Sequence, residues 1–225
     1  MKILIFDSGP LINLSMNGLL GVLEKLKAQF KGKMIITPPV RAEVCERPSR
    51  IPQFELGALT INALIEKKVL ELPESIETNV KQLEIQTRNA MDCANHSFRA
   101  DNHWITIVSD AEMSCIALAQ LAKKQGHEPL LVIDERTARL LCEAPENIEK
   151  LMASKLHRPV IMEKRCATEF RNLPCIRSSE LVYAAYKKGL VPLTDQKTLE
   201  ALIYATKYKG AAISWEEINI LKKLG

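Results

Sequence analysis

Ile3-Leu4-Ile5-Phe6-Asp7-Ser8-Gly9-Pro10-Leu11-Ile12-Asn13-Leu14 is the stretch from which the fold is read. Four consecutive apolar residues end in a carboxylate, a hydroxyl and Gly-Pro, after which apolar residues return at helical spacing. The pattern predicts a buried strand, a sharp turn and a helix. Ser8 or Gly9 suits the cap, and Pro10 suits the first turn, where a missing N–H has no partner to lose. Asp7 then stands at the carboxyl end of a central strand, the edge at which open α/β sheets bind ligands. It is either a helix cap or a functional carboxylate, and spacing alone supports both.

The same grammar recurs downstream. Met34-Ile35-Ile36-Thr37 is a short branched strand closed by Pro38-Pro39, and the helix from Val40 carries Glu43 before Pro48 ends it. Residues 55–68 predict an amphipathic helix, 69–72 an extended segment and 74–89 a polar helix, whereas 90–104 has no clear periodicity and reads as a loop. Ser109-Asp110-Ala111-Glu112 is a capping box, opening a helix to Lys124 so rich in alanine and leucine that it must pack on the sheet. Pro129-Leu-Leu-Val-Ile-Asp134 is a second apolar strand ending in a carboxylate, with a helix starting at Glu135. Strands alternating with helices, each strand continuously apolar, imply an α/β fold with a parallel sheet covered on both faces. Should these two strands be neighbours, Asp7 and Asp134 stand side by side.

Beyond Cys142 the pattern loosens. Residues 143–175 are charged, contain three prolines and offer one strand, Val160-Ile161-Met162. They read as an insertion, since a regular pattern returns at Ile176 with a capped helix that ends at Gly189. Thr194 or Asp195 opens a further helix to Lys209, and Ser214-Trp-Glu-Glu217 repeats the capping box before a short last helix. The predicted organisation is a domain over 1–190 containing the insertion 143–175, then a helical extension over 191–225. Leu199, Leu202 and Ile203 give that extension an apolar face that either covers its own core or packs on a second copy as a homodimer.

With 225 residues, 47% hydrophobic and 26% charged, the chain has ordinary globular composition, and aromatics at 5% make the expected core aliphatic. No apolar run approaches the ~20 residues of a membrane helix, and the N-terminus lacks a signal-peptide pattern. The expectation is a soluble, cytoplasmic protein without a membrane partner. Six cysteines without a paired framework read as reduced thiols. Cys93, His96 and His103 have zinc-ligand chemistry, but the second knuckle is missing, so a polar loop is the preferred reading. The net charge of +4 lies entirely in residues 143–225, which carry 14 basic and 10 acidic residues against 17 of each in 1–142. A weakly basic surface for a polyanion and a solvated lysine-rich face both fit.

Four carboxylates occupy corresponding places: Asp7 and Asp134 at strand ends, Glu43 and Glu112 at helix starts facing the same edge. Each has a local alternative, Asp134 as a cap, Glu112 as the far half of its capping box, Glu43 as the partner of Arg47 one turn on. Packed together they would raise one another's pKa or demand a cation, and Mg²⁺ or Mn²⁺ is the oxygen-seeking answer.

In this arrangement the sequence resembles the PIN-domain nucleases. Phe6-Asp7-Ser8-Gly9-Pro10-Leu11-Ile12 is similar to the family's opening motif, Pro39-Val-Arg-Ala-Glu43-Val to the element bearing its second acid, and Glu112-Met-Ser-Cys-Ile-Ala-Leu-Ala119 to its third. Ile133-Asp134-Glu135 resembles the fourth acid at a strand end, and Ser178 through Gly189 the last element, a hydroxyl residue before a helix. The resemblance covers about residues 1–142 and 176–190. It implies a PIN-like three-layer fold, a central parallel sheet with helices on both faces, and endoribonuclease cleavage of single-stranded RNA dependent on Mg²⁺ or Mn²⁺. Asp7, Glu43, Glu112 and Asp134 are then catalytic and metal-binding, with Ser8, Asp110 and Ser178 in support and Arg136 and Arg139 as contacts for substrate phosphate. A toxin role would add an antitoxin partner.

Three departures stand beside it. Asp110 and Glu112 compete for the third acid, and register favours Glu112; residues 143–175 exceed the usual connection; the tail runs past the minimal domain. The main alternative is a non-catalytic PIN-like module for RNA binding or assembly. A phosphatase-like or nucleotide-binding protein trails, since no Gly-rich phosphate loop follows either strand.

Overall fold

The structure, a computed structural model, describes residues 1–193, 195 and 197–224. In chain order, β1 (Lys2–Phe6), α1 (Ser8–Met16), α2 (Gly21–Gln29), β2 (Gly32–Ile36) and α3 (Pro38–Arg41) lead to α4 (Pro52–Glu66) and α5 (Val80–Asn95). A short hairpin, β3 (Phe98–Ala100) and β4 (His103–Trp104), precedes α6 (Asp110–Lys124), β5 (Glu128–Val132) and α7 (Arg136–Glu143). The insertion holds α8 (Glu146–Leu156), β6 (Ile161–Met162) and α9 (Lys164–Ala167). The chain ends with β7 (Cys175–Ile176), α10 (Ser178–Lys187), α11 (Thr198–Tyr208) and α12 (Trp215–Leu224).

The fold is α/β. Its main sheet has four parallel strands in the order β2-β1-β5-β7, with Phe6 level with Ile36 on one side and Val132 on the other. Ile3, Leu4, Ile5 and Phe6 are all buried, so β1 is covered on both faces, which is why its sequence is continuously apolar rather than alternating. β1 and β5 are neighbours. Both therefore deliver their following residues, including Asp7 and Asp134, to one edge. One aliphatic core runs from Ile3 to Leu202, and a smaller cluster of Leu199, Ile203, Ile213 and Ile218 joins α11 to α12. Leu199, Leu202 and Ile203 are thus buried within their own subunit, and the apolar face that suggested a homodimer is consumed there. Among the described residues no helix is long and apolar enough to cross a membrane.

Several local expectations are corrected. The cap of α1 is Asp7 itself, ahead of Ser8. The polar helix predicted over 74–89 is a short 3-10 turn at Pro73–Ile76 followed by α5, because Glu77 adopts the left-handed conformation that breaks it and Asn79 caps the restart. The loop predicted over 90–104 is the end of α5 plus the β3–β4 hairpin, turned by Asp101 and Asn102 at φ 47° and 64°. Two central residues at positive φ make the tight turn whose twist matches that of paired strands. β6 pairs with β3, so the insertion completes a three-stranded antiparallel sheet in the order β4-β3-β6. α11 begins at Thr198, later than Asp195, one of the two proposed starts; Thr194, the other, lies outside the described residues.

Gly32 opens β2 where a Cβ would meet Lys2 O at 2.3 Å and the Phe30 ring at 2.7 Å, with backbone on one side that cannot yield. At Gly21, the first residue of α2, a Cβ would meet nothing within 4 Å. Gly32→Ala is expected to cost about 2 kcal/mol through the clash, a fall of roughly 4–8 °C for a chain of this size. Gly21→Ala, which removes only unfolded-state freedom, should hold or raise the melting temperature. Thermal melts of the two variants beside the native protein check both, and a Gly32→Ala melt equal to the native would contradict the packing at the start of β2.

Candidate functional site

Asp7 is the centre of the carboxyl edge. Its backbone N–H continues the ladder to Val132 O at 3.0 Å, and this fixes the carboxylate where β1 meets α1. The side chain caps α1 only loosely, Oδ2 accepting from Gly9 N at 3.4 Å. Asp7 is 3% exposed, and Oδ1 is buried without a hydrogen-bond partner among the described residues. An ionised carboxylate oxygen in that state is costly unless it is protonated or meets a cation. Burial first and the Glu112 charge second push the Asp7 carboxyl up to about 7; the Ser8 and Gly9 N–H groups oppose this, and Glu43 adds to it. Ser8 meets Asp7 through its backbone N–H.

Glu43 reaches the edge by a device absent from ordinary helix patterning. After Arg41 the helix widens into a π turn over Ala42–Glu46, closed by Arg47 N to Ala42 O at 2.9 Å. Such wide turns recur at functional sites. Glu43 does pair with Arg47, but at 3.6 Å and with the arginine side chain 73% exposed, so water screens the pair. Glu112 forms the predicted capping box with Ser109, accepting from Ser109 N at 2.8 Å. Burial raises its carboxyl, Ser109 opposes the rise, and the charges of Glu135 and Glu43 add to it. Asp110 is exposed in the first turn of α6, which leaves Glu112 as the acid facing the edge.

Asp134 is organised differently. It is buried two residues beyond β5, where Oδ1 accepts from Ser178 N at 2.7 Å and Oδ2 from Ser178 Oγ at 2.8 Å and Asn13 Nδ2 at 3.2 Å. Burial raises its carboxyl, the bonds from Ser178 and Asn13 oppose this, and Glu180 adds to the rise. Asp134 does not cap α7; Glu135 does, accepting from Ala138 N at 2.8 Å. Gly9 separates the two aspartates: a Cβ there would lie 3.5 Å from Asp7 Oδ2 and 3.6 Å from Asp134 Cβ.

At the edge the charges of Glu112 and Glu43 act on Asp7 and those of Glu135 and Glu43 on Glu112, while Asp134 is tied to Ser178 and Asn13. Among the described residues no three His, Cys, Asp or Glu side chains form a ready metal cluster as they stand. The Cys93, His96 and His103 trio does not converge: Cys93 donates to Glu169 at 3.1 Å, His96 Nδ1 lies 2.7 Å from Asp92 O, and His103 is exposed on β4. Arg136 is exposed, whereas Arg139 is held by Glu143 at 3.1 Å. Both line a cleft of 480 Å³ with Arg177, Ser214 and Glu217.

Asn13 and Glu135 were not singled out from sequence. An apolar helix face hides Asn13, whose amide also reaches Thr206 O at 2.8 Å, a partner 193 residues away. Glu135 was legible as the residue before a helix start, the position a cap occupies. Comparison of the chain with protein-family models, curated proteins and solved structures returns no match.

A carboxyl raised from 3.8 to about 7 keeps its proton in the folded protein where the unfolded chain has released it. Stability contributed by that proton is complete below pH 4 and is lost as pH rises through 7. Asp7→Asn removes the penalty, and Asn retains capping ability. In EDTA its melting temperature should exceed the native one by several degrees at pH 8, roughly 2–4 kcal/mol, and should match it near pH 4. Melting curves across that range check this; a constant difference between the two proteins would contradict a strained Asp7.

Proposed function

We propose that this chain is a cytoplasmic metal-dependent endoribonuclease with a PIN-like fold, cutting single-stranded RNA at the carboxyl edge of its sheet. One observation carries the reading: Asp7 is held almost wholly out of water, with Oδ1 unpaired among the described residues, while Glu112 and Glu43 press on it by like charge. A helix needs no such cap, and a core does not tolerate such a charge unless something neutralises it. A divalent cation answers all three carboxylates at once.

Asp7, Glu43 and Glu112 would hold Mg²⁺ or Mn²⁺. Asp134, with Oδ1 accepting one bond and a further lone pair left, completes the set from the side of Ser178. When bound, the ion supplies activation of water and neutralisation of charge for an in-line displacement at phosphorus. The chain's own residues do the positioning. Ser178 and Asn13 fix the Asp134 rotamer, the capping box fixes Glu112, and the π turn brings Glu43 inward. Exposed Arg136, two residues past Asp134, is free to meet the phosphate on the substrate, while Arg139 stays with Glu143.

The test is cleavage of a mixed-sequence single-stranded RNA with Mn²⁺ or Mg²⁺ and with EDTA. The native protein should cut only with metal. Asp7→Asn and Glu112→Gln should each lose at least roughly 10²-fold, the order expected when a key charge-stabilising group is removed. Metal should raise the native melting temperature and leave that of Asp7→Asn largely unmoved, because an ion stabilises only the state that binds it. A metal response without cleavage would favour the non-catalytic module, and no metal response would remove the site.

A further inference from the structure

The sheet completed by the insertion has an outer face for which neither the core nor the acidic edge has a use. Arg99, in the middle strand, is level with Trp104 on one side and with Ile161 on the other. Residues level across antiparallel strands project to the same face, so Trp104, Arg99 and Ile161 form one row. Their neighbours Phe98 and Met162, level with each other, turn to the opposite face, where Phe98 is fully buried and Met162 packs on the core. The outer row is open: Trp104 is 47% and Ile161 54% exposed, and Arg99 is exposed with no ion pair among the described residues. The one acid of the turn, Asp101, is taken by Arg158 of the insertion at 2.9 Å, which leaves the row cationic. His96 meets Trp104 edge-on at 5.2 Å and braces the indole.

We propose that this face is a stacking platform for single-stranded RNA, Trp104 stacking a base and Arg99 meeting the adjacent phosphate. An indole beside an unpaired guanidinium on an open sheet is the combination that binds single strands without sequence preference. The positive charge selects a polyanion over an apolar protein partner. Position fits the same ligand: Trp104 lies five residues before Ser109, the cap of Glu112, so at most about 18 Å of chain separates platform from acidic edge. The insertion then has a purpose, since it supplies the third strand, Ile161, and the arginine that neutralises Asp101. The identity of the nucleic acid rests on the ribonuclease reading.

Binding of a fluorescein-labelled 12-nucleotide mixed-sequence RNA, in EDTA so that no cleavage intervenes, tests the platform on the full chain. Trp104→Ala should weaken binding roughly 5- to 100-fold, the range for losing one aromatic–base stack, and Trp104→Phe should restore most of it. Arg99→Ala should weaken binding and lower the slope of log affinity against log salt by about 0.7. In a Trp215→Phe background the remaining Trp104 emission should be quenched by the RNA. Trp104 and Arg99 variants that bind as the native protein does, unquenched emission, or equal affinity for blunt duplex RNA would each overturn the proposal. Quenching by a native protein that never cleaves RNA would keep the platform and remove the nuclease reading. Metal-dependent cleavage by Trp104→Ala with unchanged KM would do the reverse.

Discussion

A single buried carboxylate oxygen, Asp7 Oδ1, sets the terms for the rest of this molecule. It is placed by a central strand, between β2 and β5, and cannot be moved without disturbing the ladder on both sides. Burial of an unpaired charge costs several kcal/mol, and the charges of Glu112 and Glu43 add to that cost. An edge built only for stability would carry an apolar residue or a paired one. The arrangement is unfavourable in isolation and favourable only with a bound positive charge or proton, which distinguishes it from half-buried Glu71, paired with Lys27 and Lys33 at 2.9 and 3.1 Å.

Asp134 illustrates the opposite solution a short distance away. Its oxygens are shared among Ser178 and Asn13, and through Asn13 the network reaches the Thr206 carbonyl. The Asp134 backbone carbonyl accepts from Ala212 N at 3.1 Å, and buried Arg177 binds Ala212 O, Glu180 and Glu217. Burial alone would lower the Arg177 pKa, but the two glutamates overcome it, and Arg177 in turn holds Glu217 down to about 2. The last helices are therefore wired to the strand end that bears Asp134. Removing one member of so buried a network strands the others, and that cost, more than the net worth of any pair, is what fixes the edge.

The parts of this architecture that were legible in sequence are those whose signal is local and repeated. Continuous apolar runs ending in Asp7 and Asp134 gave buried parallel strands, and Ser109 with Glu112 gave a helix start that the structure reproduces bond for bond. What escaped is of two kinds. β3 and β4 are too short to show a period, although the Asp101-Asn102 dipeptide carries a turn signal, whereas β6 is legible as Val160-Ile161-Met162 and only its pairing with β3 is not. The π turn at Glu43 and the Asn13 bridge have no local signature, because an inserted residue in a helix and an amide on an apolar face acquire meaning only from partners far away in the chain.

On the ribonuclease proposal, the charge of the edge also bears on how a strand reaches it. A gathering of Asp7, Glu43, Glu112 and Glu135 repels a polyanion, and a cation bound there would offset only part of that field. Affinity for an RNA strand, on that proposal, comes from outside the edge, where counterions can be released. The chain's excess of basic residues lies wholly beyond residue 142, in the segment that supplies β6 and Arg158 to the small sheet and Ser214 to the cleft beside Arg136. On the ribonuclease proposal chemistry and attraction fall to different surfaces, the first to strand ends that are buried where they are placed, the second to exposed groups such as Arg99, Trp104 and Arg136. The insertion's part, on that proposal, is structural as well as electrostatic, since β6 completes the small sheet beside Arg99 and Arg158 takes up the charge of Asp101.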